Sequence, residues 1–183
     1  MALRVLLADA FPAVRRAVRD YLEQAGIAVA GETGDGEHAV ALWRRRHPDV
    51  VILDFHLPRL PGLDVARQIL QDAPDTGVIF LTLYIEEPRV TAALQAGVRG
   101  YVEKHRAPED LIPAIHAVAH GGVYLSPPID HLRATPPGTV GGPNLRPTGP
   151  TPSDGPSGEM AASVFLPVPN WVVLPIGTRS IAG

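Results

Sequence analysis

Five short apolar runs, each followed by a stretch with helical spacing of apolar residues, fill the first two thirds of the chain. The runs at 3–8, 27–32, 49–54, 77–83 and 100–104 are five to seven residues long and read as strands. "DVVILD" and "GVIFLTL" are apolar without alternation, the pattern of strands covered on both faces. Between them, residues 12–26 place Val14, Ala17, Val18, Tyr21, Leu22 and Ala25 on one helical stripe, with Pro12 at its start and Gly26 after its end. Further helices are predicted at 36–47, 62–73, 87–97 and 108–122. Strict strand–helix alternation with short connections implies a parallel sheet with right-handed crossovers and helices on both faces. Pro113 lies inside the last predicted helix, where an interior proline costs about 3 kcal/mol. A kink or a late start is expected there.

Beyond residue 125 the pattern stops. Residues 126–183 hold twelve of the chain's 20 prolines and eight of its 18 glycines, three arginines and no lysine. Such a composition supports neither helices nor strand ladders and reads as a disordered tail. The expected organisation is therefore one α/β domain over 1–125 and a Pro/Gly-rich tail over 126–183. The chain has 183 residues, 45% of them hydrophobic, which suffices for one packed core. Its net charge of −3 gives no electrostatic pull toward nucleic acid or anionic membrane. The absence of cysteine excludes disulfides, thiolate metal sites and a cysteine nucleophile. No apolar stretch approaches a membrane span and none resembles a signal peptide, so a cytoplasmic location without membrane contact is the expectation.

Ligands of open α/β sheets bind outside the carboxyl ends of the strands. The polar residues predicted there are Asp9, Asp54, Thr82 and Lys104, with Glu32 and Thr33 off to one side. A carboxylate at the mouth of an apolar strand can act as a nucleophile and form an acyl phosphate. Phosphoryl transfer asks mainly for neutralisation of phosphoryl oxygens. Lys104 and the Thr82 hydroxyl could supply that, with Mg²⁺ bridging carboxylates and phosphate. Three other features read as ordinary structure. "RRRH" (44–47) complements a helix C-terminus, His116 and His120 lack a third ligand for a metal, and "GETGDGEHA" lacks the spacing of a phosphate-cradling loop.

"LLADAFPAVRR", "PDVVILDFHLPRLPGLDVARQI", "VIFLTL" and "GVRGYVEKHRAPEDLIPAI" together resemble the receiver domain of two-component response regulators, and "AVAHGGVYLSP" resembles its NarL/LuxR-type subgroup. The resemblance implies a flavodoxin-like (βα)5 doubly wound parallel sheet of strand order 2-1-3-4-5. It implies Asp54 as phosphoacceptor, Thr82 as switch hydroxyl, Lys104 as phosphate-binding lysine and Tyr101 as the aromatic that changes rotamer. It also implies a magnesium site built from Asp9, Asp54 and the backbone carbonyl of His56. The implied partners are a sensor histidine kinase and a second copy bound through the face of the fourth helix, fifth strand and fifth helix. Any enzymatic activity would be self-catalysed phosphoryl transfer and aspartyl-phosphate hydrolysis.

The sequence departs from that pattern at several places. The second member of the family's acidic pair falls on Ala10, so the Mg²⁺ site is expected to be weakened. Leu83 follows the switch threonine, where a smaller residue would leave the acceptor more open, and Pro61 replaces an acid or asparagine. The subgroup's helix-turn-helix output domain is missing from 126–183, which makes DNA an unexpected partner. Besides the phosphoacceptor reading, two others stay open. One is a pseudo-receiver that binds protein partners without phosphate, and the other is a DNA-binding transcriptional regulator.

Overall fold

The computed structural model describes residues 3–83, 85–127, 129 and 132. Five βα units run in the order β1 (Arg4–Ala8), α1 (Pro12–Gln24), β2 (Ala28–Thr33), α2 (Gly36–Arg46), β3 (Val50–Leu53), α3 (Gly62–Asp72), β4 (Gly77–Thr82), α4 (Glu87–Gln95), β5 (Gly100–Glu103) and α5 (Ala107–Ala119). A 3₁₀ turn, Lys104–Arg106, joins β5 to α5. All strands pair in parallel in the order β2-β1-β3-β4-β5, and a two-residue strand β6 (Tyr124–Leu125) adds to the β5 edge. The flavodoxin-like arrangement expected from the sequence is thus present, with one more strand than expected. β6 is too short to carry a period, so nothing in its residues announced it.

Alternation within the strands divides the core in two. Leu6, Ala8, Val51, Leu53, Val78 and Phe80 face α2, α3 and α4. Val5, Leu7, Val50, Ile52, Ile79 and Leu81 face α1 and α5. β3 and β4 are buried along their whole length, which accounts for their unbroken apolar runs. On α1 the residues Val14, Val18 and Leu22, four apart, form the buried stripe. Packing continues past the expected end of the domain, because Ser126 and Ile129 are both buried against it. Apart from Pro127 and Leu132, the remainder of the Pro/Gly-rich stretch lies outside the described residues.

Helix ends follow local chemistry. Pro12 and Pro108 occupy first-turn positions, where no amide donor is needed. Gly26 closes the end of α1 with φ of +77°, a conformation that a Cβ would disfavour. Asp35 caps α2 by accepting the His38 amide at 2.8 Å, and the arginines of "RRRH" fill the last turn, where they complement the helix dipole. The late start expected from Pro113 is corrected: α5 begins at Ala107 and continues through the proline to Ala119. Pro113 and Glu109 both lie on the exposed side of the helix, so the Glu109 carbonyl that loses its amide partner can be hydrated.

The loop from β3 to α3 is fixed by two close approaches. A Cβ at Gly36 would stand 1.9 Å from the Leu60 carbonyl oxygen, and one at Gly62 would stand 2.2 Å from the Asp54 carbonyl oxygen. Neither position admits a larger residue without backbone movement. Gly62→Ala is expected to destabilise the domain by about 1–3 kcal/mol through overpacking, despite alanine's better helix propensity. A lower urea midpoint at unchanged m would show it.

Candidate functional site: a lysine shared by two buried carboxylates

The register of the sheet brings the acids together. Ala8 pairs with Leu53 across β1 and β3, and the next residue on each strand is Asp9 and Asp54. The Asp54 amide donates to the Ala8 carbonyl at 2.7 Å and the Asp9 amide to the Thr33 carbonyl at 3.0 Å, so the ladder continues one step beyond the strands. Both side chains lie at the carboxyl rim where the strand order reverses. Lys104, the first residue after β5, reaches back across β4. Its Nζ lies 2.5 Å from Asp9 Oδ2 and 3.2 Å from Asp54 Oδ2. All three are buried: Lys104 is 0% exposed, Asp9 1% and Asp54 5%. Thr82, the last residue of β4, is buried at the same rim.

The cluster carries one positive and two negative charges. Each ion pair is worth on the order of 5 kcal/mol at an effective dielectric of 20, set against the cost of removing the ions from water. Burial pushes the Asp54 carboxyl above the ordinary carboxylate range; Lys104 pulls it down and Asp9 pushes it further up. The second Asp9 oxygen, Oδ1, accepts the Phe11 amide at 2.8 Å, which fixes the turn into α1. Asp9 therefore also braces the helix start, although the capping residue is Phe11 itself, which has no side-chain cap bond.

Several braces of this site were not legible in the sequence. Arg15, on the first turns of α1, donates to the Asp9 carbonyl at 2.6 Å and holds the β1–α1 loop. Arg59 sits at φ of +64° and forms an ion pair with Asp35, the cap of α2, tying the β3–α3 loop to that helix. The guanidinium of Asp35's partner holds its carboxyl below the ordinary range. Arg89 of α4 stands 5.2 Å over the Phe55 ring and 3.1 Å from His56 Nε2. These residues line a shallow groove of about 430 Å³ together with Leu57, Pro58 and Pro61. An arginine placed a few residues after a strand-end acid or in a first helical turn was the one available signal, and it is a weak one.

A row of rings leads from the site to the sheet edge. Phe55 and Phe80 centroids are 5.1 Å apart, and Phe80 and Tyr101 5.9 Å. Tyr101 is fully buried, and its hydroxyl has no hydrogen-bond partner among the described residues. Burial pushes its pKa up to about 12.

Other candidates stay apart from this cluster. Glu32 pairs with Arg19 at 3.2 Å, and the Thr33 hydroxyl contacts His38 at 3.1 Å, so both lie off to one side as expected. His120 Nδ1 contacts the His116 carbonyl at 2.7 Å, a helix-end bond that does not pair the two rings around a metal. Among the described residues no group of three His, Cys, Asp or Glu side chains is placed to hold a metal, and no helix is long and apolar enough to cross a membrane.

A doubly wound parallel sheet with two acids and a lysine meeting at the switch point of its strand order, and a buried threonine at the end of the neighbouring strand, defines the receiver fold as a class. Residues 5–116 match the family model of the response regulator receiver domain, and the chain belongs to that family. It is 39% identical over 120 residues to the uncharacterized transcriptional regulatory protein YxjL of Bacillus subtilis, covering 65% of this chain and 55% of that protein. It is 38% identical over 125 residues to the response regulator UvrY of Escherichia coli, covering 68% and 57%. The chain thus spans little more than half the length of these relatives. A crystal structure of a two-component response regulator of the LuxR family from Aurantimonas superposes with a TM-score of 0.68 at 32% identity, covering 72% of this chain and 94% of that one.

The charge imbalance has consequences for stability. Asp54 holds its proton more tightly in the native state than in the unfolded chain, so it lowers stability as pH rises through the range between its ordinary and raised pKa. Asp54→Asn is expected to raise Tm at pH 7, with a gap that closes as pH falls below the ordinary carboxylate pKa. Lys104→Met strands two buried carboxylates and is expected to cost about 3–5 kcal/mol at pH 7. Thermal unfolding of the three proteins from about pH 3 to 8, which spans the ordinary carboxylate pKa, checks both signs.

Proposed function

We propose that this chain accepts a phosphoryl group on Asp54 from the phosphohistidine of a sensor histidine kinase, with a magnesium requirement weakened by Ala10. The observation that carries the reading is the Lys104 ammonium held between Asp9 and Asp54 at the sheet rim. An Asp54 carboxylate oxygen attacks phosphorus, the bond from phosphorus to the imidazole nitrogen breaks, and that nitrogen leaves on the kinase with its electron pair. Lys104 already lies within reach of an Asp54 oxygen, so its ammonium can follow the transferred group and donate to a phosphoryl oxygen. Thr82 supplies a hydroxyl from the neighbouring strand end.

Two carboxylates and a backbone carbonyl are hard oxygen donors of the kind Mg²⁺ takes, since that ion keeps several waters and completes its shell with phosphate oxygens. Asp9, Asp54 and the carbonyl of His56 would hold it. When bound, it would neutralise charge on the transferring group. Ala10 offers no oxygen. The lost contact corresponds to an affinity about ten- to a hundredfold lower than that of a site with both acids.

Exposure of the full chain to a small phosphodonor, read by intact mass, tests this. One phosphoryl adduct is expected in the native chain, none in Asp54→Asn, and in Ala10→Asp the same adduct at about ten- to a hundredfold less Mg²⁺. Absence of the adduct from the native chain at every Mg²⁺ concentration, or its persistence in Asp54→Asn, would contradict the reading.

One observation favours a second reading. Lys104 lies closer to Asp9 than to Asp54, and Asp9's remaining oxygen is taken by Phe11, so the cluster is closed without phosphate. A pseudo-receiver that binds a protein partner through the unphosphorylated face would use this arrangement. A partner interaction left unchanged by Asp54→Ala would mark it.

A further inference from the structure

Among the described residues, two other than glycine take a positive φ, His47 and Arg59. His47 ends α2, where a left-handed residue is ordinary. Arg59 ends no helix. It sits at φ of +64° within the β3–α3 loop, and across it the Leu60 amide donates back to the Pro58 carbonyl at 2.8 Å. A bond between residues two apart over a positive φ makes the rare, strained form of the γ-turn. A residue with a Cβ stays in such a conformation only where its surroundings over-determine it.

The surroundings here are the start of α2. The Asp35 carboxylate, which caps that helix through the His38 amide, also accepts from Arg59 Nε. Glu37 Oε2 stands 3.8 Å from the same nitrogen. Asp35 is the more enclosed acid, its side chain 15% exposed against 64% for Glu37. The Gly36 amide donates to the Pro58 carbonyl at 3.1 Å, so that one carbonyl takes two amides, and Gly36 leaves no room for a Cβ against Leu60. Ion pair, backbone bond and close approach all act on the three residues of the turn.

The same loop carries the His56 carbonyl. On one side of it the Phe55 carbonyl accepts the Gly62 amide at 3.0 Å, and on the other the Pro58 carbonyl is taken by Gly36 and Leu60. No backbone amide among the described residues donates to the His56 carbonyl. Two fixed points thus bracket a carbonyl that the backbone ladder does not use.

We propose that Asp35 and Arg59 are positioning residues for the cation site: their ion pair holds the strained turn, and the turn sets where the His56 carbonyl presents its oxygen. The proposal rests on the reading of the rim as a Mg²⁺ site. It extends that site to a pair whose side chains meet each other rather than the acids of the rim. Because Ala10 supplies no oxygen, the backbone carbonyl is a larger share of the protein's ligands, and its placement counts for more. The sign of the effect separates positioning from plain electrostatics. Removing a nearby positive charge favours Mg²⁺ binding and removing a negative one disfavours it. Positioning requires a loss from either partner.

Mg²⁺ titration of the full chain, followed by the amide NMR shifts of residues 54–57, tests this. Asp35→Asn keeps a good helix cap and loses the charge. Arg59→Ala keeps a Cβ at the strained position and loses the pair. Each is expected to bind Mg²⁺ about tenfold more weakly than the native chain. Arg59→Gly, which takes positive φ without strain, is expected to recover most of that loss although it too lacks the charge. Unchanged binding in Asp35→Asn, unchanged or tighter binding in Arg59→Ala, or equal losses in Arg59→Ala and Arg59→Gly would overturn the proposal. Hydrogen exchange of the Gly36 and Leu60 amides reads the latch without metal. It is expected to quicken about tenfold in Asp35→Asn and Arg59→Ala, with β1 and β3 unchanged. Unchanged exchange in both variants would overturn the latch. If the native chain shows no Mg²⁺ shifts at any concentration, the Mg²⁺ reading itself fails and cation positioning with it, while the exchange result decides whether the pair holds the turn.

Discussion

One ammonium group shared by two buried carboxylates organises this domain's carboxyl rim. Lys104 has no exposure, and the acids it contacts have almost none. Three charges at such depth persist only when each has a partner of opposite sign close by. The sum still leaves one negative charge in excess; burial, with Asp9 adding to it, holds the Asp54 carboxyl above its ordinary range against the pull of Lys104. An incoming cation or a group able to spread negative charge finds a site prepared for rearrangement rather than a neutral, finished ion pair. Ala10 sharpens the point, since a second acid there would have made the imbalance larger and the demand for a divalent cation stronger.

The remainder of the fold supports this arrangement at a distance. The β1–β3 register places the two acids side by side, and β5 starts the lysine from the far side of β4. Gly62 lets α3 begin against the Asp54 backbone, and Arg15 and Arg59 pin the two loops that flank the acids. On the other side, aromatic rings fill the path from Phe55 to Tyr101, so a shift at the rim has packed side chains through which to reach the β5 edge. Packed cores of this kind respond by changing between discrete arrangements rather than by bending.

Much of this was legible in the residues. Apolar runs such as "DVVILD" and "GVIFLTL" gave the buried strands, because burial on both faces leaves no polar positions. Acid and lysine at strand ends marked the rim, because nothing in an apolar strand requires them. What escaped was set by tertiary contact. β6 is two residues long, the serine after it bonds an aspartate sixteen residues away, and its neighbours are rich in proline and glycine. Pro113 did not delay the start of α5, and the turn it affects faces water. Arg59 adopts a left-handed conformation that sequence favours for glycine, held by an ion pair to another loop.

The shared-lysine arrangement is tested most directly by the titration of the Asp54 carboxyl itself, followed by carbon-detected NMR of the side chain in the full chain. The account predicts a midpoint above the ordinary aspartate value in the native protein, moving down when Asp9 is replaced by asparagine and the like charge is removed. A midpoint at or below the ordinary value, insensitive to Asp9→Asn, would contradict it.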